Sequence, residues 1–212
     1  MDASPRRALA PQKPVQRLIR LITLFCCIVG LLAAIPLFTR HSSPVYAAGN
    51  VQINAGGSAV SPFVADTDYA GGTTASTTHA ITTSGVSNPA PQAVYQSNRY
   101  GNVTYTIPGL TANASYTVRL HFAETYWTAS GKRTFNVTIN SSQVLSNFDI
   151  FATAGGAYIA VVEQFNATAD GSGKITIQFT TVKDNAQING IEVLSGSSTP
   201  TPTPTSTSTP TP

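Results

Sequence analysis

The side chains able to attack, ligate a metal or relay a proton are few in this sequence, and their spacing is wrong for it. Cys26 and Cys27 are adjacent and lie inside an apolar run. There is no nucleophile elbow, and His79 and His121 are not at metal-ligand spacing. The stretch "DGSGKIT", Asp170–Thr176, ends like a phosphate-binding loop. Ile175 stands where Ser or Thr is needed, however, and Thr168 where the first glycine belongs, so a hairpin turn explains it better. Asp66 and Asp68 have the spacing of calcium ligands, but no Gly-spaced ligand loop follows and a simple turn suits them. A glycosidase needs two carboxyls about 5 to 10 Å apart, and so few charges argue against one. No metal or cofactor is expected. The residues left to explain are aromatic, in "HFAETYWTASGKRTF", His121–Phe135, where Tyr126 and Trp127 stand side by side.

The elements that position them alternate with period two. Val103, Tyr105 and Ile107 alternate with threonines. Tyr116, Val118, Leu120 and Phe122 alternate with Thr117, Arg119 and His121. Phe135, Val137 and Ile139 form a third run, and Ile175, Ile177 and Phe179 a fourth. Pro108-Gly109, Asn113, Gly131 and Asp170-Gly171 punctuate these runs as turns. Ile188 is out of phase with Ile191 and Val193, and Asn189-Gly190 between them suggests a bulge. Eight or nine short strands, each with one wet face, predict an all-β jelly-roll sandwich of two sheets. One segment, Ala65–Gln92, lacks periodicity and is rich in Gly, Thr and Ser; a loop that long is usually functional. By the parity of Tyr116–Phe122, Glu124 points to the core side at the rim of the sheet, where a carboxylate must be paired or wet. Tyr126 and Trp127 follow, facing opposite ways, so at least one ring is exposed. Two readings are open here: a hydrophobic lid on the sandwich, or a flat ring offered to the apolar face of a pyranose with polar neighbours for its hydroxyls.

Composition places this domain outside the cytoplasm. Residues 1–47 combine Arg6, Arg7, Lys13, Arg17 and Arg20 with an apolar run from Leu21 to Phe38 and a small-residue site near Val45-Tyr46-Ala47. Such a leader is either a cleaved export signal or a retained membrane anchor. The sequence pI near 9.0 comes from this leader. Between Gly49 and Ser195 six Lys/Arg face eight Asp/Glu, a balance of −2, which argues against nucleic acid as a partner. Residues 50–195 contain no cysteine and must stand on their core alone. Residues 196–212 alternate Pro, Thr and Ser and read as a solvated spacer or stalk.

Five longer motifs then stand in one order: "INAGG", "AVYQSNRYG", "YTVRLHFAETYW", "FNVTIN" followed by "VLSNFDIFATAGG", and "VKDNAQINGIEVL". On them, over about residues 51–194, the sequence resembles malectin and the malectin-type carbohydrate-binding modules. The resemblance implies a jelly roll of galactose-binding type whose end loops bind a short gluco-oligosaccharide through aromatics and one aspartate. Tyr126 matches a binding tyrosine, and Trp127 stands where the animal protein has phenylalanine. Asp184 matches the aspartate, with Asn185 beside it, and Tyr69 is the match for a tyrosine of the long first loop. A second tyrosine expected in that loop is missing, and the His79 region takes its place. With Glu124, Asn185 and His79 as further candidates, the implied function is non-catalytic carbohydrate binding, with an oligosaccharide or polysaccharide as partner. The alternative is a fragment or accessory module of a secreted glycan-active enzyme.

Overall fold

The computed structural model describes residues 49–196. The leader and the Pro/Thr-rich tail lie outside the described residues. Among the described residues no helix is long and apolar enough to cross a membrane.

Among the described residues eleven strands form two sheets. The first sheet contains β1 (Asn50–Asn54), β2 (Val64–Ala65), β5 (Ser115–Ala123), β8 (Ala160–Thr168) and β11 (Gly190–Ser195), in the order β2-β1-β11-β5-β8. The second contains β3 (Tyr69–Ser76), β4 (Ser97–Ile107), β6 (Thr134–Ile139), β7 (Ser142–Phe148), β9 (Ile175–Lys183) and β10 (Gln187–Ile188). There β3 and β10 both pair with β4, which is followed by β9, β6 and β7. Two short helices, α1 (Gln92–Tyr95) and α2 (Ile150–Ala154), complete the elements of the described residues. Asp149 caps α2 by accepting from the Ala152 N–H, and Gly155 ends it in the left-handed region.

The four alternating runs lie on β4, β5, β6 and β9, and their apolar members meet between the sheets. Tyr105, Leu120, Phe122, Phe135, Ile177 and Phe179 are all fully buried there. Phe122, Phe135 and Phe148 pack with ring centroids 5.1 to 5.9 Å apart. The turn in "INAGG" needs its first glycine, because a Cβ at Gly56 would sit 2.1 Å from the Asn98 carbonyl oxygen.

Three expectations need correction. The outer face of β5 is dry, since Arg119 and His121 are buried along with Glu192 of β11. The aperiodic segment explains this. After forming β3 it crosses the outside of the first sheet, and Ile81, Ala90, Val94 and Tyr95 pack with Phe63, Ala123 and Ala160 in a second apolar cluster. Secondly, Asn189-Gly190 is no bulge. Ile188 belongs to the second sheet and Ile191 to the first, so the chain changes sheets there and the phase changes with it. Thirdly, the Asp170–Gly173 turn is not a hairpin; it links β8 in one sheet to β9 in the other. Asp170 holds it by accepting from the Ser172 and Lys174 N–H groups.

Under the second cluster lies a polar chain. The Tyr95 hydroxyl meets His121 Nδ1 at 2.8 Å, and His121 Nε2 meets Glu192 Oε2 at 3.0 Å. Arg119 pairs with the same carboxylate and donates to the Ser87 and Asn88 carbonyls. Burial pushes the His121 pKa below its ordinary value. Burial acts to raise Glu192, but hydrogen bonds from His121 and Gln52 and the nearby Arg119 cation outweigh it and hold that carboxyl low. Burial pushes the Tyr95 hydroxyl up to about 12. In the folded protein His121 is therefore neutral, while an unfolded chain takes up a proton near pH 6.5. Stability should be full above pH 6.5 and fall as pH drops below it, by about 1.4 kcal/mol per pH unit until the folded histidine also titrates. Glu192 adds a further loss at lower pH, as its depressed folded pKa is crossed. Melting curves from pH 7.5 to 4 test this. His121→Gln should flatten the first part of the slope, and a melting point independent of pH between 6.5 and 5 would contradict it.

Candidate functional site

At the end of β5 the chain leaves the sheet through Glu124, and the parity expectation for that residue holds: it is buried and paired. Glu124 Oε2 receives Arg133 Nε at 2.7 Å. Its Oε1 accepts the backbone N–H groups of Tyr126 at 2.9 Å and Trp127 at 3.1 Å. A carboxylate aimed into its own following loop thus sets the position of both aromatics.

Arg133, just before β6, is itself buried and reaches the opposite loop. Its Nη1 donates to the Asn185 carbonyl at 2.6 Å and lies 3.2 Å from Asp184 Oδ2. The same Asp184 oxygen accepts the Trp127 indole N–H at 2.9 Å. One guanidinium therefore ties the loop after β5 to the loop after β9. Asp184 occupies the left-handed region at φ 56°, which Asp and Asn tolerate better than most residues. Arg133 escaped the sequence reading. Its only signal was the buried carboxylate nine positions earlier, which required a cation without saying which.

The two rings divide the work. Trp127 is half-buried, tied by its indole N–H, with the Lys132 ammonium 6.0 Å from its ring. Tyr126 is 74 % exposed and stands at 90° to Trp127, centroids 4.9 Å apart. Neither ring is a core lid. The expectation of at least one exposed ring is met by Tyr126, with Trp127 as its edge-on support.

The other candidates sit further out. Tyr69 opens β3, 44 % exposed, with the Arg99 guanidinium 3.4 Å over its ring and Tyr105 6.2 Å away. Among the described residues nothing links Tyr69 directly to Trp127 or Asp184. A Cβ at Gly101 would lie 3.7 Å from Gly72 Cα and 4.0 Å from Asn185 Oδ1, and Arg99 Cγ packs 2.9 Å from where a Cβ of Gly72 would stand. Asp66, weighed above as a cation ligand, is engaged by Arg99 at 2.7 Å and by the Tyr105 hydroxyl at 2.9 Å. His79 does not touch Tyr126; its exposed ring lies against Tyr158 at 4.7 Å. Tyr158 was not a candidate from sequence. A cleft of about 490 Å³ along β8 is lined by Val86, Arg119, Ile159, Val161 and Glu163 among others, and by none of Tyr69, Tyr126, Trp127 or Asp184.

Two packed sheets with the Tyr126–Trp127 pair on a loop at the end of β5 make a β-sandwich of the jelly-roll class. The malectin domain family model matches residues 50–191, and the chain belongs to that family. It is 33 % identical to the kinesin-like protein KIN-14E of Oryza sativa subsp. japonica, over 66 % of this chain and 14 % of that protein. To Malectin-B of Xenopus laevis it is 27 % identical, over 53 % of this chain and 45 % of the relative. Among solved structures, the ANX2 ectodomain from Arabidopsis thaliana superposes with a TM-score of 0.61 at 22 % identity, covering 68 % of this chain and 49 % of that one. At that identity the likeness speaks to the fold. The chain spans less than half the length of each of these relatives.

Proposed function

We propose that this chain is an exported, non-catalytic carbohydrate-binding module whose ligand is a short gluco-oligosaccharide or the end of a glucan. The observation that carries the reading is the exposed Tyr126 ring, braced by a Trp127 that is itself tied to Asp184 and Arg133. An amphipathic flat surface fixed by buried charges suits the apolar face of a pyranose. Asp184 and Asn185, beside it, supply acceptors and a donor for hydroxyls. Membership of the malectin domain family supports the same ligand class. Glu124 is no catalytic acid, because both its oxygens are committed within the protein. Tyr69 serves as an outlying contact. The module is residues 50–195, delivered by the leader 1–47 and set off by the stalk 196–212; it stays membrane-tethered where the leader is retained.

A glucose disaccharide has about 23 heavy atoms, and about −0.3 kcal/mol for each gives roughly −7 kcal/mol, a micromolar Kd. Calorimetric titration with maltose and with cellobiose, paired with an assay for released reducing sugar, tests the reading. Trp127→Ala should weaken binding by about 1 kcal/mol or more through lost ring surface. Because Trp127 is half-exposed, its removal should cost less than the about 3 to 5 kcal/mol typical of a buried tryptophan. Asp184→Asn should weaken binding comparably. It should also lower stability by about 1 kcal/mol, since it removes a partner of the buried Arg133 as well as a charge facing the ligand. Binding without release supports the module. Release of sugar would mean an enzyme, and no binding to either series would reject carbohydrate as the ligand class.

A further inference from the structure

Tyr158 precedes β8 in a backbone conformation that the local chain does not favour. Its φ is 58°, and an L residue with a bulky side chain is uncommon in that region, where glycine is the ordinary choice. Two hydrogen bonds hold it there. Its N–H donates to the Glu124 carbonyl at 2.8 Å, and its own carbonyl accepts from the Thr82 N–H at 2.8 Å. Tyr158 is thereby pinned between the segment that carries His79 and the loop that carries Tyr126. Strain kept in place by two neighbouring loops is a feature found at ligand sites more than elsewhere.

The side chains add to this. The His79 and Tyr158 rings stack at 4.7 Å with their planes 35° apart, His79 exposed and Tyr158 half-buried. No hydrogen bond within the described residues occupies the Tyr158 hydroxyl or either nitrogen of the His79 ring. The Glu124 carbonyl that anchors Tyr158 is two residues from Tyr126, a backbone span of at most about 7 Å. A second flat ring pair with free polar edges is therefore anchored, through the Tyr158 backbone, to the loop that carries Tyr126 and Trp127. Packing alone would be served by an aliphatic residue at 158, and the backbone by glycine. The combination of strained backbone, stacked rings and free polar edges serves neither.

We propose that the His79–Tyr158 pair is a second ring platform that takes a further sugar unit of the same chain, so that the site is built for three or more units and not for a disaccharide alone. This rests on the reading of Tyr126, Trp127 and Asp184 as the first platform. The test is calorimetry on the full chain with maltose, maltotriose and maltotetraose, and with cellobiose and its longer homologues. The parent should bind the longer members of one series at least about fivefold more tightly than the disaccharide, as one added stacking contact provides. Tyr158→Asn keeps a residue at ease in the left-handed region but removes the ring. It should abolish the gain with length and leave disaccharide binding within about twofold, and His79→Ala should reduce the gain. Trp127→Ala should weaken all lengths alike. A disaccharide that binds with no gain on lengthening, or a gain that survives in Tyr158→Asn, would overturn the second platform and leave the first standing. A chain that binds no member of either series overturns both.

Discussion

Arg133→Met should lower the melting point by about 10 °C and remove measurable glucan binding together. The stability loss follows from what stays behind: Glu124, 1 % exposed, loses its cation and becomes an unpaired buried carboxylate. Breaking a buried pair from one side costs about 3 to 5 kcal/mol, and for a domain of this size each kcal/mol is worth about 2 to 4 °C. The binding loss follows from the second set of contacts, because Arg133 also holds the Asn185 carbonyl and Asp184. The double variant Glu124→Gln/Arg133→Met separates the two. A glutamine oxygen still accepts the Tyr126 and Trp127 N–H groups, so most of the stability should return. Affinity should stay well below the parent, because the loop after β9 has lost the Arg133 contacts to the Asn185 carbonyl and Asp184. A double variant that binds as the parent does would mean that Arg133 serves the fold alone.

The legible part of this protein was the part written in period two. Val103–Ile107, Tyr116–Phe122, Phe135–Ile139 and Ile175–Phe179 announced both their strands and the side facing the core, since in a strand the parity of a residue decides its face. The same reasoning put Glu124 on the core side and required a partner for it. What parity cannot tell is what covers the other face. Arg119 and His121 read as wet because charged and polar side chains alternate with apolar ones, yet a segment with no periodicity lies over them. Their partner Glu192 is 71 or more positions away, a distance at which local pattern carries no information. The phase break at Asn189 was visible, but a bulge and a change of sheet leave the same mark on a linear sequence. In the candidate site, Tyr126 and Trp127 were visible as an adjacent pair that one core could not absorb. Tyr69 and Asp184 came from family resemblance. Tyr158 was hidden because its peculiarity is a backbone angle, and nothing in "GGAYIAVV" reports φ.

Asn189→Ala should show the opposite division from Arg133→Met: a large loss of stability with the proposed Tyr126–Trp127 platform intact. Asn189 is fully buried where the chain crosses between the sheets, and its side chain is satisfied on every side. Nδ2 donates to the Tyr95 carbonyl at 2.9 Å and to the Ser97 carbonyl at 2.7 Å, while Oδ1 accepts the Ala123 N–H at 2.9 Å. It thus fastens the end of α1 and the start of β4 to the end of β5. Alanine leaves the buried Ala123 N–H without that acceptor and takes a donor from two carbonyls. At about 1 to 3 kcal/mol for each stranded buried group, a loss of about 3 kcal/mol or more is expected, again about 10 °C. Asn189→Asp keeps the acceptor for Ala123 but turns a carboxylate toward two carbonyl oxygens, so it should melt at least as low as the alanine variant. None of these bonds reaches Arg133, Asp184 or Trp127. Below its melting point the alanine variant should therefore titrate maltose or cellobiose within about twofold of the parent. Should Asn189→Ala instead lose disaccharide binding while still folded, the crossover and the aromatic loops would be one coupled unit, and the independence of the site's Arg133 tie would be wrong.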